Sequence, residues 1–246
     1  MKVYVISLAD ADIRREKIAR QLDEQMVSYE FFNACRGNPD IKSNLNYDYE
    51  FRNKMYGRQM TAGEIGCFMS HQELWKIIAS GNKAVCIMED DVILSPGFNK
   101  TLEVIENYRN YDILRLSGIF NRKKFAWQQF NGLGLVKYWR DPMGTQCYII
   151  TPKAAKIMLD KSLLINAPVD DFLGNYALHG LNVIGCEPYP IVHDWDIPSQ
   201  LGHRHAKRKM TVIEKIRREV LLQSNGVMNF LIQFGYFIKT KAGLLK

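Results

Sequence analysis

No Cys-x-x-Cys pair, no Gly-x-Gly-x-x-Gly and no Walker-type phosphate loop occur in these 246 residues. Without the last two, nucleotide binding of either of those sorts is not expected. The five cysteines, Cys35, Cys67, Cys86, Cys147 and Cys186, are scattered. They read as reduced, mostly buried thiols of a cytosolic protein. Internal repeats and low-complexity stretches are also missing. The opening Met1 to Leu8 has too short an apolar run for a signal peptide and meets acids at once, so it is expected to be a first strand rather than an export signal. Acidic residues are scarce at the other end. Arg204, Lys207, Arg208, Lys209, Lys215, Arg217, Arg218, Lys239, Lys241 and Lys246 face only Glu214 and Glu219 there. The formal charge of +7 is therefore concentrated in a tail that seeks polyanions, while the body before it is close to neutral.

What is present is ordinarily globular, with 47% hydrophobic and 24% charged residues, enough for one large domain or two small ones. The chain is organised around Val85-Cys86-Ile87-Met88-Glu89-Asp90-Asp91-Val92-Ile93-Leu94. A short apolar run fits a strand buried on both faces, between layers of helix. Three adjoining acids would repel one another inside a sheet, so they belong at its carboxyl edge, where open α/β sheets bind ligands. Packed carboxylates there suit a hard divalent cation. A solvated acidic turn before Ser95-Pro96-Gly97 is the plainer reading.

Around that strand the pattern alternates strand and helix. Val3 to Leu8 is a strand, Ala9-Asp10 a helix cap, and Ile18, Leu22 and Met26 the inward stripe of the next helix. Tyr29 to Phe32 makes a second strand. Arg36 to Gln59 reads as a long loop. Thr61 to Ser80 reads as a helix opened by a Thr61/Glu64 capping box, with Ile65, Phe68, Met69 and Ile78 inward and Cys67 and His71 beside Glu64. A helix over 96–107, a strand over 112–116, an irregular aromatic excursion over 121–137 and a strand over 144–150 follow. Pro152 then starts a helix, Asp170-Asp171 opens a short one, and Val183 to Glu187 is the last clear strand before His193.

The strings Val5-Ile6-Ser7-Leu8 with Arg14-Arg15, Gly63-Glu64-Ile65-Gly66-Cys67-Phe68-Met69-Ser70-His71, Ile87-Met88-Glu89-Asp90-Asp91-Val92, Gly144-Thr145-Gln146-Cys147-Tyr148 and Pro168-Val169-Asp170-Asp171 stand in that order. Together they resemble glycosyltransferase family 25, the bacterial lipooligosaccharide galactosyltransferases and their relatives. The resemblance covers roughly residues 3 to 200, and 63–71 is its most specific part. It implies an α/β fold of GT-A type, a nucleotide-sugar-binding mixed sheet flanked by helices over residues 1–202. A basic, helical C-terminal appendage over 203–246 lies outside the resemblance.

The implied activity is an inverting, UDP-sugar-dependent transfer of a hexose, galactose first, to a lipid-linked oligosaccharide of a lipooligosaccharide, with Mn2+ or Mg2+ as cofactor. In that scheme Asp91, Glu89 and His193 hold the metal, although a hydrogen-bonded surface histidine is the other reading of His193. Ser7, Leu8, Arg14, Arg15, Glu64, Ser70, His71, Glu89, Asp90, Thr145 and Gln146 line the donor site. One of Arg14 and Arg15 is expected on UDP and the other in solvent. The base that accepts the acceptor hydroxyl's proton is Asp170 or Asp171, with Asp170 closer to the family's acidic position and a capping role as its alternative. Trp127 and its neighbours either stack on an acceptor sugar or pack a loop.

Three other functions compete with this one. A sugar nucleotidyltransferase would carry a glycine-rich triphosphate loop near the N-terminus. A non-catalytic carbohydrate-binding relative would be expected to have lost the acids. Nucleic-acid binding is not expected, because no aromatics interleave with the basic tail. The tail itself reads as two amphipathic helices. Ile213, Ile216 and Val220 share one face of the first. Val227 to Ile238 forms the second, interrupted by Asn229, Gln233 and Gly235 and far short of the ~20 residues that span a bilayer. It is expected either to lie on an anionic membrane surface at the cytoplasmic face of the bacterial inner membrane or to pack on the domain or a second subunit, as in a homodimer.

Overall fold

The opening apolar run forms strand β1 (Lys2–Ser7), and Ile18 and Leu22 of helix α1 (Asp12–Glu24) pack against the same core as its Val3 and Val5. The computed structural model describes residues 1–44, 46–197, 202 and 207–244. Arg204, Lys246, the tail boundary at residue 203 and the side chain of Trp127 lie outside the described residues.

After β2 (Glu30–Asn33), helix α2 (Tyr49–Tyr56) and helix α3 (Ala62–Ala79), the chain enters β3 (Val85–Glu89), breaks at Asp90-Asp91 and resumes as β4 (Val92–Leu94). Helix α4 (Phe98–Glu106), β5 (Ile113–Arg115), the hairpin β6 (Lys124–Phe130) and β7 (Leu133–Tyr138), and β8 (Cys147–Ile150) follow. Helices α5 (Pro152–Lys161), α6 (Val169–Leu173) and α7 (Tyr176–His179), strands β9 (Val183–Glu187) and β10 (Ile191–His193), and helix α8 (Val212–Lys241) complete the order.

Eight strands make one mixed sheet in the order β2-β1-β3-β8-β5-β9-β7-β6, and β4 pairs antiparallel with β10 outside it. Strands β1, β2 and β3 run parallel, so their carboxyl ends open on one edge. Because side chains alternate along a strand, the sheet carries two cores. Tyr4, Ile6, Ile87 and Tyr148 pack under α3 through Ile65, Phe68 and Trp75, while Val5, Cys86, Met88 and Ile149 pack under α1 and α4 through Leu22, Phe98 and Leu102. This is the α/β, helix-flanked mixed sheet with a C-terminal helix that the sequence leads one to expect. All five cysteines are free.

Several local expectations are corrected. The segment 36–59 contains α2, capped by Asp48, whose carboxylate accepts from Phe51 N. Helix α1 begins after Ala11 without a side-chain cap, and Met26 lies beyond its end, 85% exposed, with φ of 54°. The aromatic stretch 121–137 is no irregular ligand loop but the β6–β7 hairpin on the sheet edge opposite β2. The tail is one continuous helix of 30 residues, not two. Asn229 and Gln233 do not interrupt it; they face the body and bond to it.

Candidate active site

Strand register explains why three acids are tolerated at one point. Ile6 lies opposite Glu89, so Ser7 at the end of β1 stands beside the break where β3 leaves the main sheet. The chain turns through Asp90 and Asp91 before β4 joins β10. Ser7 Oγ donates to Asp90 Oδ2 at 2.6 Å. Arg14, from the first turn of α1, places one guanidinium nitrogen 3.1 Å from Asp90 and 2.9 Å from Asp91. On the other side β10 brings His193 opposite Val92, with its Nδ1 3.8 Å from Asp91 Oδ1. Both of those atoms are buried and without a hydrogen-bond partner.

A single arginine does not neutralise this group. Burial and the charge of Glu89 push the Asp91 carboxyl up to about 7 against the pull of Arg14. Asp90 is also raised, by burial, although Ser7 and Arg14 oppose it.

Glu89 turns to a different set of partners. Thr145 Oγ1 donates to its Oε1 at 2.5 Å, His71 Nε2 stands 3.6 Å from the same oxygen and Cys67 Sγ 4.0 Å. Burial pushes Glu89 upward, but His71 and Thr145 hold it below the usual carboxylate value. Behind His71, Trp75 Nε1 donates to the Tyr148 hydroxyl at 2.9 Å, and that hydroxyl lies 2.8 Å from His71 Nδ1. Indole only donates, so the network is satisfied when the Tyr148 hydroxyl donates to Nδ1 and the ring proton sits on Nε2, facing Glu89. Among the described residues, the grouping of three potential ligand atoms within 4.8 Å of one another is Cys67, His71 and Glu89, not the expected Glu89, Asp91 and His193.

These carboxylates floor a cleft of about 650 Å³, the size range of small-molecule sites. Ser7, Leu8, Arg14 and Ser70 line it with the segment Cys35–Gly37 and the first turn of α3. Two glycines let that segment ride on α3. A Cβ at Gly66 would lie 2.6 Å from Cys35 O, and one at Gly37 2.1 Å from Ala62 O. Ser70 completes the joint, its Oγ accepting from Cys35 N and donating to Gly66 O, both at 2.8 Å.

Not every expected donor-site residue reaches this cleft. Arg15 does not face solvent as a free cation. It donates to Ser7 O, Leu8 O and Asn33 and lies 4.8 Å over the Phe31 ring, tying β1 to β2. Glu64 is buried in the capping box at the start of α3. Gln146 is buried, and its backbone carbonyl accepts from Glu89 N. His71 and Thr145 act through Glu89 rather than by lining the cleft. Sequence reasoning missed Cys67 and Tyr148 as members of the Glu89 group. The only available signal was that they stand in the same strings as His71 and Thr145.

Asp170 and Asp171 open α6 but do not line the cleft. The N-cap is Pro168, so Asp170 does not cap the helix with its side chain. Its Oδ1 instead accepts from Asp171 N at 2.8 Å. Burial, followed by the charge of Asp171, pushes the Asp170 carboxyl up to about 6, with Arg115 pulling the other way.

With this geometry in hand, the comparisons decide the family. A protein-family model described as Glycosyltransferase family 25 (LPS biosynthesis protein) matches residues 1–173. The chain belongs to glycosyltransferase family 25. A putative glycosyltransferase of Haemophilus influenzae is 30% identical over 245 residues, 88% of this chain and 82% of that protein. The lipooligosaccharide biosynthesis protein lic2B of the same species is 31% identical over 62% of this chain and 60% of its own length. The family also includes a rat protein named probable inactive glycosyltransferase 25 family member 3, 30% identical over 70% of this chain and 32% of that one. The chain thus spans about a third of the rat relative's length and 60% of lic2B. A solved Drosophila β-1,4-galactosyltransferase 7 mutant, in complex with manganese, UDP-Gal and xylobiose, aligns at a TM-score of 0.42 and 12% identity, over 88% of this chain and 79% of that one.

Proposed function

We propose that this family 25 chain transfers a hexose, galactose first, from a UDP-sugar to a lipid-linked oligosaccharide acceptor of lipooligosaccharide type, inverting the anomeric carbon. The observation that carries the reading is the group Glu89, Asp90, Asp91 and Arg14 on the floor of the cleft at the carboxyl ends of β1 and β3.

A divalent cation fits this group. Asp91 Oδ1 and His193 Nδ1 face one another, buried and without hydrogen-bond partners, and Asp91 is held near neutrality by crowding that a cation would relieve. Asp91 and His193 would hold manganese or magnesium, while Glu89 stays with His71 and Thr145, and the ion would stabilise charge on the departing diphosphate. The chain's own residues do the rest. Arg14 keeps Asp90 and Asp91 in place, and Thr145 and His71 hold Glu89 ionised and oriented. Asp170, ionised at neutral pH, accepts the proton of the acceptor hydroxyl. That oxygen bonds to the anomeric carbon as the bond from carbon to the diphosphate oxygen breaks, and UDP leaves with the electron pair.

The test is UDP release from a panel of UDP-sugars, each with and without manganese and an oligosaccharide acceptor. Manganese-dependent release from UDP-galactose that rises with acceptor supports the reading. Release from a different UDP-sugar corrects the donor. No release from any of them, with sugar binding intact, favours a non-catalytic member like the relatives named inactive.

A further inference from the structure

Helix α8 is assembled inside out. Ile213, Ile216, Val220, Val227, Leu231 and Ile238 recur at helical spacing and form one stripe roughly 40 Å long at 1.5 Å per residue. All six point to solvent, each between 50% and 63% exposed. The stripe that meets the body is largely polar. Asn229 accepts from Ala177 N and donates to Gly174 O. Gln233 is buried, accepting from Lys137 and Val183 N and donating to Leu181 O. Tyr236 donates to Gly180 O, and Thr240 accepts from Asn110. A helix folded onto a domain for stability alone turns its apolar stripe inward. This one docks through hydrogen bonds and through Phe230 and Phe237 packed on Phe125, and leaves the stripe from Ile213 to Ile238 for a different apolar phase.

Charge identifies the phase. Between residues 207 and 241 stand eight lysines and arginines against Glu214 and Glu219, and Glu214 is already taken by Arg208. Arg217 and Lys241, both exposed, flank the apolar stripe at helical spacing. A second copy laid on this face would bring like charges together, whereas an anionic headgroup layer complements them. The hairpin extends the surface. Trp139, 47% exposed, stacks on Phe230 at 4.4 Å, and Phe125 meets Phe230 and Phe234 edge-on or tilted. Aromatics of this kind favour the boundary between headgroups and acyl chains. Among the described residues no helix is long and apolar enough to cross a membrane.

We propose that the outer face of α8, with Trp139, lies on an anionic lipid surface, its apolar stripe at the acyl boundary and its lysines and arginines on the headgroups. The inference concerns α8 and the hairpin alone and does not depend on the identity of donor or acceptor.

The test is flotation of the full chain with vesicles of phosphatidylglycerol and phosphatidylcholine, beside vesicles of phosphatidylcholine alone. The wild type is expected to float with the anionic vesicles and to release in high salt. The variant I216S/V220S/V227S/L231S, altered only at exposed positions, is expected to lose about tenfold or more of that binding. The variant R217E/K241E keeps the stripe and is expected to lose binding to the anionic vesicles, which carries the test if the first variant folds poorly. Equal flotation on both vesicle types, no flotation of the wild type, or a solution dimer that the serine variant dissolves would overturn the proposal, the last by showing a second copy on this face.

Discussion

His71 Nε2 stands 3.6 Å from Glu89 Oε1, and the imidazole is locked from behind by the Tyr148 hydroxyl 2.8 Å from its Nδ1. The helix α3 and the strand β8 therefore meet on one carboxylate of β3. Glu89 is oriented by the core, while Asp91 is left to Arg14 and His193. The acidic triplet, continuous in sequence, is divided in space between two sets of partners.

Tyr148→Phe isolates the support of Glu89. The ring stays, but Trp75 Nε1 loses its acceptor and His71 its lock. Thermal and denaturant unfolding should show a loss of about 1–3 kcal/mol, the cost of leaving a buried polar group unmade. Turnover should fall as Glu89 is freed, and unchanged turnover with the expected stability loss would confine the network to a packing role.

Asp91→Asn tests the cation. Manganese should raise the melting temperature of the wild type and leave that of the variant unchanged. In chelator the variant should melt no lower than the wild type, because it removes a charge that burial and Glu89 already disfavour. Manganese stabilising both proteins equally would move the site away from Asp91.

Asp170→Asn should lower turnover by orders of magnitude with donor affinity nearly unchanged, whereas Asp171→Asn should be the milder change. The Asp170 carboxyl titrates at about 6 in the fold against an ordinary 3.8, so the folded state disfavours its ionised form. The stability that its proton confers is complete below about 4 and is lost as pH rises through about 6. At pH 7 Asp170→Asn should therefore be more stable than wild type by about 1–2 kcal/mol, less than the full conversion of the shift because the side chain keeps some solvent. The wild-type rate should fall below about pH 6 as the base protonates. A dead Asp171→Asn beside an active Asp170→Asn would exchange the two roles.

Arg14→Ala and Arg15→Ala should separate binding from folding. Arg15 is a tie between β1 and β2, so its loss should cost about 1–2 kcal/mol in unfolding experiments with little change in donor affinity. Losing Arg14 leaves Asp90 and Asp91 unclamped and should weaken UDP binding in calorimetry.

Gln233→Leu should loosen α8 from the body. Lys137, buried and pushed down to about 7 by desolvation, loses one of three acceptors, and Leu181 O loses its donor. Limited proteolysis should then cut within 207–241 faster than in wild type, with the remaining domain intact. Equal cleavage rates would place the hold on α8 in the aromatic contacts with Phe125 and Trp139 instead.

Local chemistry determined a good part of this protein without the fold. Apolar runs gave β1 and β3, Thr61 and Glu64 announced the start of α3, Pro152 that of α5, and repulsion among Glu89, Asp90 and Asp91 put them at a strand end rather than within a sheet. Each of those signals acts over a few residues. Partnership acts across the chain, and only the tertiary structure decided it. Arg14 and Arg15 are adjacent and chemically alike, yet one clamps the acids and the other ties two strands, because successive positions on a helix point about 100° apart. Glu89 went to His71 and Thr145 because β3 lies between β1 and β8 under α3. The tail shows the same limit. Its amphipathic pattern is visible in the sequence, but which face meets the body depends on the acceptors and donors at Gly174, Ala177, Leu181 and Lys137, all far from it in the chain. Those contacts turned the polar stripe inward and left the apolar one outside.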